Sequence, residues 1–260
     1  MPKAPPIRRR VLILGGTYDA ATLAYAVMQT FGDAVDVISS LAGRTRPPDL
    51  PGTVRIGGFG GADGLKAYLD SQNIDVLIDS THPFAAQISR NAAAACAAAN
   101  VERLSLIRPP WPLKPDGPWI EVPTIADAVD ELRRLQVKRV FVSTGVTDLQ
   151  AFASLPDVFF LVRLINGKPD GFPLENSFVV TGKPPFSKEQ EMALIRNHQI
   201  EAMVTKNSGG DLNQGKIEAV TELHLPTLMI RRPDHPTGER VRTIEEAIVW
   251  LKTLPCFGGA

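Results

Sequence analysis

Residues 8–24 read RRRVLILGGTYDAATLA, and how this stretch folds decides the architecture. Val11 to Leu14 form the short unbroken apolar run that a strand buried on both faces requires. Gly15 and Gly16 end it, and a helical pattern follows at once. A strand, a glycine turn and a helix in succession is the unit from which helix-covered parallel sheets are built. Glycines at such a turn allow a tight bend and let an anion approach the free N–H groups at the head of the helix. The dinucleotide fingerprint is G-x-G-x-x-G/A. Here the chain has G-G-T-Y-D-A, with Thr17 where the second glycine belongs and Ala20 in the slot that packs helix on strand. An ordinary strand-to-helix turn remains the alternative at this point.

Outward from this unit the alternation continues. Strands are expected at 11–14, 35–39, 53–56, 75–79 and 104–107, with helices between them. The segment 108–123, RPPWPLKPDGPWIEVP, then carries six prolines. Proline removes a backbone donor and fixes φ, so neither a helix nor a central strand runs through it, and it reads as an interdomain crossing. The pattern restarts with Thr124 ahead of a helical stripe at Ile125, Ala128, Val129, Leu132 and Leu135. Further strands follow at 139–143, 158–162, 201–205 and 227–231. Ser187 with Gln190 and Thr243 with Glu246 form capping boxes before helices, and 215–223 is helical. The expected class is α/β, with one domain over 1–110 and a second over 111–260.

Composition narrows the function. Of 260 residues, 28 are Lys or Arg and 28 are Asp or Glu, so no net field draws the chain to nucleic acid or to an acidic membrane. Any anionic ligand must be held locally. The apolar run after the basic N-terminus is too short for a signal peptide or a spanning helix, which makes the cytoplasm the expected location. Cys96 and Cys256 have no ligand neighbours at useful spacing, so neither a disulfide nor a metal is expected.

In open α/β sheets, ligands bind beyond the carboxyl ends of the strands. After the second strand the chain reads VISSLAGRT. Ser39, Ser40 and Arg44 stand where an NAD-selective fold places an acid, a set suited to a 2′-phosphate and hence to NADPH; Arg44 as a solvated loop residue is the alternative. After the fourth strand come Asp79, Ser80, Thr81 and His82. His82 and Asp79 are candidates for proton chemistry, while capping by Thr81 and packing of His82 would explain the same residues. In the second half, STG at 143–145 repeats the strand, Thr-Gly, helix arrangement. Lys206, Asn207, Ser208, Gly209 and Gly210 then form a loop able to hold carboxylates or phosphates. Arg163, Lys183, Arg231 and Arg232 lie at or after strands, as ligand contacts or as surface charges.

Taken together, LILGGTYDA, SSLAGRT, GGFGGADGL, DSTHPFA, RPPW, STG, PPFSKEQE, VTKNSGG with a following GKIEA, and RRP make the chain resemble the precorrin-6A reductase family from about Val11 to Pro233. The resemblance implies two Rossmann-like domains with a cleft between them, and NADPH-dependent reduction of a ring double bond of precorrin-6A in cobalamin biosynthesis. It assigns the cofactor to Gly15, Gly16, Thr17, Ser39, Ser40, Arg44, Ser80 and Thr81. It assigns the polycarboxylate macrocycle to Lys206, Ser208, Gly209, Gly210, Arg108, Thr144 and Gly145. The metal-free substrate is favoured over the cobalt-containing one, and the oligomeric state stays open, a monomer included. Tyr18 departs from the pattern, since a smaller residue is expected in the Gly-Gly-Thr loop. Two readings from other classes compete: a cofactor-free tetrapyrrole lyase or cyclase, and a non-catalytic nucleotide-binding sensor. The first leaves Ser39 and Arg44 unexplained, the second the loop at Lys206.

Overall fold

The structure, a computed structural model, describes residues 8–43 and 49–257. In chain order the first elements are β1 (Arg9–Leu14), α1 (Tyr18–Phe31), β2 (Val35–Leu41), β3 (Thr53–Ile56), α2 (Gly61–Ser71), β4 (Val76–Asp79), α3 (Ala86–Ala99) and β5 (Glu102–Leu106). Next come β6 (Trp119–Val122), α4 (Ile125–Leu135), β7 (Arg139–Val142), a 3₁₀ run over Val146–Ser154, β8 (Phe159–Leu164), β9 (Ser177–Thr181), α5 (Lys188–Asn197), β10 (Ala202–Lys206), α6 (Gln214–Glu222) and β11 (Thr227–Ile230). The chain closes with β12 (Glu239–Val241) and α7 (Ile244–Thr253).

Each strand-forming run is apolar because the sheet is covered on both faces. Val11, Leu12, Ile13 and Leu14 are all buried, and they divide by alternation. Val11 and Ile13 pack with α1 and α7, whereas Leu12 and Leu14 pack with α2 and α3. The alanine-rich α3 belongs to the second layer, where Ala92, Ala95 and Cys96 lie with Leu65 and Leu69 of α2. Helix starts are built locally. Thr124 and Asp127 form a reciprocal capping box on α4, and Ser187 and Gln190 form one on α5. On α7, Thr243 accepts from the Glu246 N–H as expected, but the Glu246 carboxylate accepts from Arg242 N at 2.6 Å, one residue ahead of the cap.

Among the described residues all strand pairs are parallel, in two six-stranded sheets. One runs β3-β2-β1-β4-β5-β12 and the other β9-β8-β7-β10-β11-β6. Numbered in chain order, the first sheet has the order 3-2-1-4-5-6 of the doubly wound dinucleotide-binding fold, whereas the second reads 4-3-2-5-6-1: β7 to β11 repeat the arrangement of β1 to β5, and the place beside β11 is taken by β6, the strand that precedes them. In the first sheet five strands are consecutive in sequence and the sixth, β12, returns from the C-terminal part of the chain, whereas the second is built from six consecutive strands, β6 to β11. The crossing strand β6 completes the second sheet, and β12 returns to complete the first.

That exchange corrects the expected division at 110/111. One unit comprises Met1–Arg108 with Pro233–Ala260, and the other Pro109–Arg232. The reason is packing. β12 pairs with β5, Ala247 and Leu251 of α7 are buried with β1 and α1, and the Phe257 ring meets Phe31 at 5.1 Å. The proline-rich crossing contains a strand after all, but an edge strand. β6 sits between Pro118 and Pro123, and the Pro118 carbonyl accepts from Thr227 N at 2.8 Å. The segment after STG forms a 3₁₀ run rather than the expected α-helix.

Candidate functional site

The strand order reverses between β1 and β4 in the first sheet and between β7 and β10 in the second, and the loops leaving such a pair are where ligands bind in such folds. In the first unit these are the loops after β1 and β4. Gly15 N donates to Ser40 O at 2.9 Å, and a Cβ on Gly15 would lie 3.3 Å from Ala20 Cβ. Packing within the chain therefore accounts for Gly15. Gly16 differs: its φ is +100°, and a Cβ there would meet nothing within 4 Å. Its requirement is the backbone conformation that turns the chain into α1, with open space above it. Thr17 caps α1, accepting from Ala20 N at 3.0 Å and donating to Ser80 O at 2.8 Å. One hydroxyl thus sets the helix start and ties the two loops together.

The β4 loop is folded by Asp79. Its Oδ1 accepts from Thr81 N at 3.1 Å and from Thr81 Oγ1 at 2.7 Å. Thr81 consequently does not cap α3, which begins after Ala85 with no side-chain cap. Asp79 Oδ2, Ser80 Oγ and Ser39 Oγ are buried with no hydrogen-bond partner among the described residues. The half-buried His82 accepts from Phe84 N through Nδ1 at 3.3 Å, which puts the proton of the neutral ring on Nε2.

β2 extends two residues beyond its expected end, so Ser39 and Ser40 lie within the strand, both buried. Arg44 falls outside the described residues. A guanidinium that sequence reasoning missed stands beside Ser40: Arg55 at the end of β3 lies 3.5 Å from Ser40 Oγ, bonds the carbonyls of Gly57 and Gly58, and covers the Phe59 ring at 3.8 Å. Arg108 belongs to this unit, 2.6 Å from Asp19 in the first turn of α1. The structure places it beside the first turn of α1. Tyr18 projects from the head of α1 with 64% exposure.

In the second unit the corresponding loops follow β7 and β10. Thr144 is buried with its Oγ1 unpartnered among the described residues, and Gly145, at φ +97°, leads into the 3₁₀ run. Lys206 Nζ lies 2.6 Å from Asp148 Oδ2, so its charge is matched by an acid from that run. The rest of its loop is held from below. Asn207 accepts from Trp111 N at 2.8 Å and donates to Trp111 O at 3.2 Å, while Trp111 Nε1 donates to Gly210 O at 3.1 Å. Arg232 donates to Asn207 O at 2.7 Å and to Ser208 O at 2.8 Å. Gly209, at φ +64°, is fixed by this packing, because a Cβ would collide with the Pro109 carbonyl. Ser208 is buried, with its N–H on Lys206 O at 2.7 Å. Lys206, Ser208, Gly209 and Gly210 thus form one rigid loop, and Thr144 and Gly145 leave the adjacent strand.

Of the scattered cations, Arg163 pairs with the fully buried Glu191, and Arg231 pairs with Glu121 at 3.0 Å on the surface. A further buried cation is Lys216 on α6, 6% exposed. Its Nζ donates to Thr205 Oγ1 at 2.8 Å and to Ser143 Oγ at 3.2 Å. Burial lowers its pKa to about 8, with Glu191 opposing the shift and Arg163 adding to it. Sequence held one signal for it: Lys216 stands three and four residues before Ala219 and Val220, on the face that α6 buries. Burial pushes the Cys96 thiol up to about 12, which removes it as a nucleophile near neutrality. Among the described residues no cluster of His, Cys, Asp and Glu could hold a metal, and no helix is long and apolar enough to cross a membrane.

Two doubly wound sheets with polar loops at both switch points define a doubled Rossmann-like α/β protein. The chain belongs to the precorrin-6x reductases: the family model "Precorrin-6x reductase CbiJ/CobK" matches residues 10–252. It is similar to the precorrin-6A reductase of Rhodococcus erythropolis, 44% identical over 94% of this chain and 98% of that one. A precorrin-6A reductase of Mycobacterium tuberculosis is 40% identical over 95% and 98%. A cobalt-precorrin-6A reductase of Priestia megaterium matches at 27% over 92% and 96%. Among solved structures, a CobK precorrin-6A reductase superposes with a TM-score of 0.86 at 37% identity, covering 94% of this chain and 96% of that one.

Proposed function

We propose that this oxidoreductase reduces one ring double bond of precorrin-6A to give precorrin-6B in cobalamin biosynthesis, with NADPH as hydride donor. Membership of the reductase family carries the reaction. The observation that carries the cofactor is the turn at Gly15–Gly16–Thr17: open space above Gly16, a helix head with free N–H groups, and Thr17 joining it to the β4 loop. These residues fit a pyrophosphate. Bound there, the dinucleotide supplies the hydride. Ser80 and Thr81 line the same loop pair, and Ser80 Oγ is a buried hydroxyl free to meet a ligand. Ser40, the Arg55 guanidinium and Arg44 beyond the described residues are the groups we assign to the 2′-phosphate. Asp79 shapes this loop through Thr81, and His82 follows it with Nδ1 accepting from Phe84 N.

The macrocycle's carboxylates are assigned to the loop Lys206–Gly210 with Thr144 and Gly145, where Lys206 exchanges Asp148 for, or shares it with, a substrate carboxylate. The metal-free substrate is preferred because relatives named for it are closer in sequence than the cobalt-precorrin relative.

Dissociation constants for NADPH and NADH, followed by turnover with precorrin-6A, test the reading. A charge-assisted 2′-phosphate contact predicts tighter NADPH binding by roughly 10- to 150-fold. Arg55→Ala narrows that gap. Equal affinity for the two cofactors overturns the NADPH assignment, and macrocycle conversion without cofactor would favour a lyase or cyclase.

A further inference from the structure

Lys216 is poorly explained as a structural residue. Its stem joins the buried face of α6, a task that methionine would perform without burying a charge. No carboxylate lies within 4 Å of its ammonium among the described residues, and Glu191, the acid that acts on it, is paired with Arg163. Instead the ammonium serves two hydroxyls, Thr205 Oγ1 at 2.8 Å and Ser143 Oγ at 3.2 Å. Ser143 Oγ in turn donates to Thr205 Oγ1 at 3.0 Å. These hydroxyls stand at the carboxyl ends of β7 and β10, the strands between which the order of the second sheet reverses. Thr205 is fully buried and Ser143 is half-buried, so Ser143 is the end of the chain of hydrogen bonds that opens to the loop side. It is followed directly by Thr144 and Gly145.

We propose that Lys216 supplies, through Ser143 Oγ, the proton that accompanies hydride addition to the macrocycle. This rests on the reductase reading above. The hydride carries its electron pair from the reduced nicotinamide to one carbon of the ring double bond. The π pair moves to the other carbon, which takes the Ser143 hydroxyl proton, while Lys216 Nζ passes a proton to Ser143 Oγ and is recharged from water. The sum is one double bond, one NADPH and one proton giving one saturated bond and NADP⁺. Ser143 meets the substrate; Lys216 is the positioning residue behind it, and Thr205 holds both. The charged groups facing Lys216 are Glu191 from α5, which favours its protonated form, and Arg163 from β8, which opposes it. β7 and β10 present the hydroxyls, and Trp111 presents its ring at 5.4 Å. With its pKa lowered to about 8, the ammonium releases its proton near neutrality.

The test compares the wild-type chain with Lys216→Met, Lys216→Arg and Ser143→Ala, using NADPH and precorrin-6A. Wild-type kcat is expected to fall as pH rises through about 8, as the ammonium is lost. Lys216→Met and Ser143→Ala each lower kcat by roughly 100-fold, remove that limb, and leave NADPH affinity within about twofold. Arginine keeps the charge but holds its proton, so Lys216→Arg does not rescue. Independently of turnover, ¹³C NMR of the lysine ε-carbons should show one resonance titrating near pH 8 that Lys216→Met deletes. Should Lys216→Met fail to fold, Ser143→Ala carries the kinetic test alone. Rescue by arginine, survival of the pH limb in Lys216→Met or Ser143→Ala, or an ordinary lysine titration overturns proton delivery while leaving the reductase reading standing. A wild-type chain inactive towards precorrin-6A with NADPH overturns both.

Discussion

The two sheets share the arrangement of five strands, β1 to β5 in one and β7 to β11 in the other, yet their switch points are built from opposite materials. After β1 and β4 the chain offers backbone donors at the head of α1 and buried hydroxyls without partners, with a single threonine as fastener. After β7 and β10 it offers charges, Lys206 on Asp148 and Lys216 beneath Ser143, in a loop clamped by Asn207, Trp111 and Arg232. A helix head suits a phosphate of fixed shape. Rigidly held cations suit a ligand that carries several carboxylates and one reacting bond. On the function proposed above, topology sets where each ligand would bind, and the loop chemistry which ligand it would be.

The sharpest way to break this contrast is through its glycines. Gly209→Ala forces a Cβ into the Pro109 carbonyl at a positive φ, and should cost about 3 kcal/mol or more, read as a lowered urea midpoint. Gly16→Ala meets no atom within 4 Å and should cost only about 1–2 kcal/mol of stability while weakening NADPH binding. If Gly209→Ala proves neutral, the second loop is not held as described.

Lys216 gives a stability signature of its own. Its pKa lies near 8 in the folded chain and near 10.5 unfolded, so between these values the unfolded state binds more protons and stability rises with pH. Below about 8 the cost of the buried charge is present in full. Unfolding free energies of the wild type relative to Lys216→Met should therefore improve by up to about 3 kcal/mol from pH 8 to 10.5. A difference that stays flat with pH would mean that Lys216 is not buried as a cation.

A smaller effect separates the ligands. Lys206→Ala should leave NADPH affinity nearly unchanged and lower kcat/KM for the macrocycle by roughly 10- to 100-fold. A large loss of NADPH binding would instead move this loop to the cofactor, and kinetics of this variant with each ligand titrated separately decides.

The sequence by itself determined the central strands, the helices and the first turn. VLIL, the boxes at Thr124, Ser187 and Thr243, and the GGT sequence act through neighbours within a few residues, so their physics is local. What only the tertiary structure decided are matters of distant partners. β12 is three residues, ERV, mostly exposed and with no apolar pattern of its own; it is a strand because β5 offers it hydrogen bonds. β6 is hidden among prolines for the same reason, which is why the division of the chain was misplaced. Lys206 and Arg55 are ordinary cations until Asp148 and Ser40 are brought beside them, across 58 and 15 residues. Lys216 became exceptional only when α6 laid it over the ends of β7 and β10. Periodicity tells a helix which face to bury, but not what the buried face will find there.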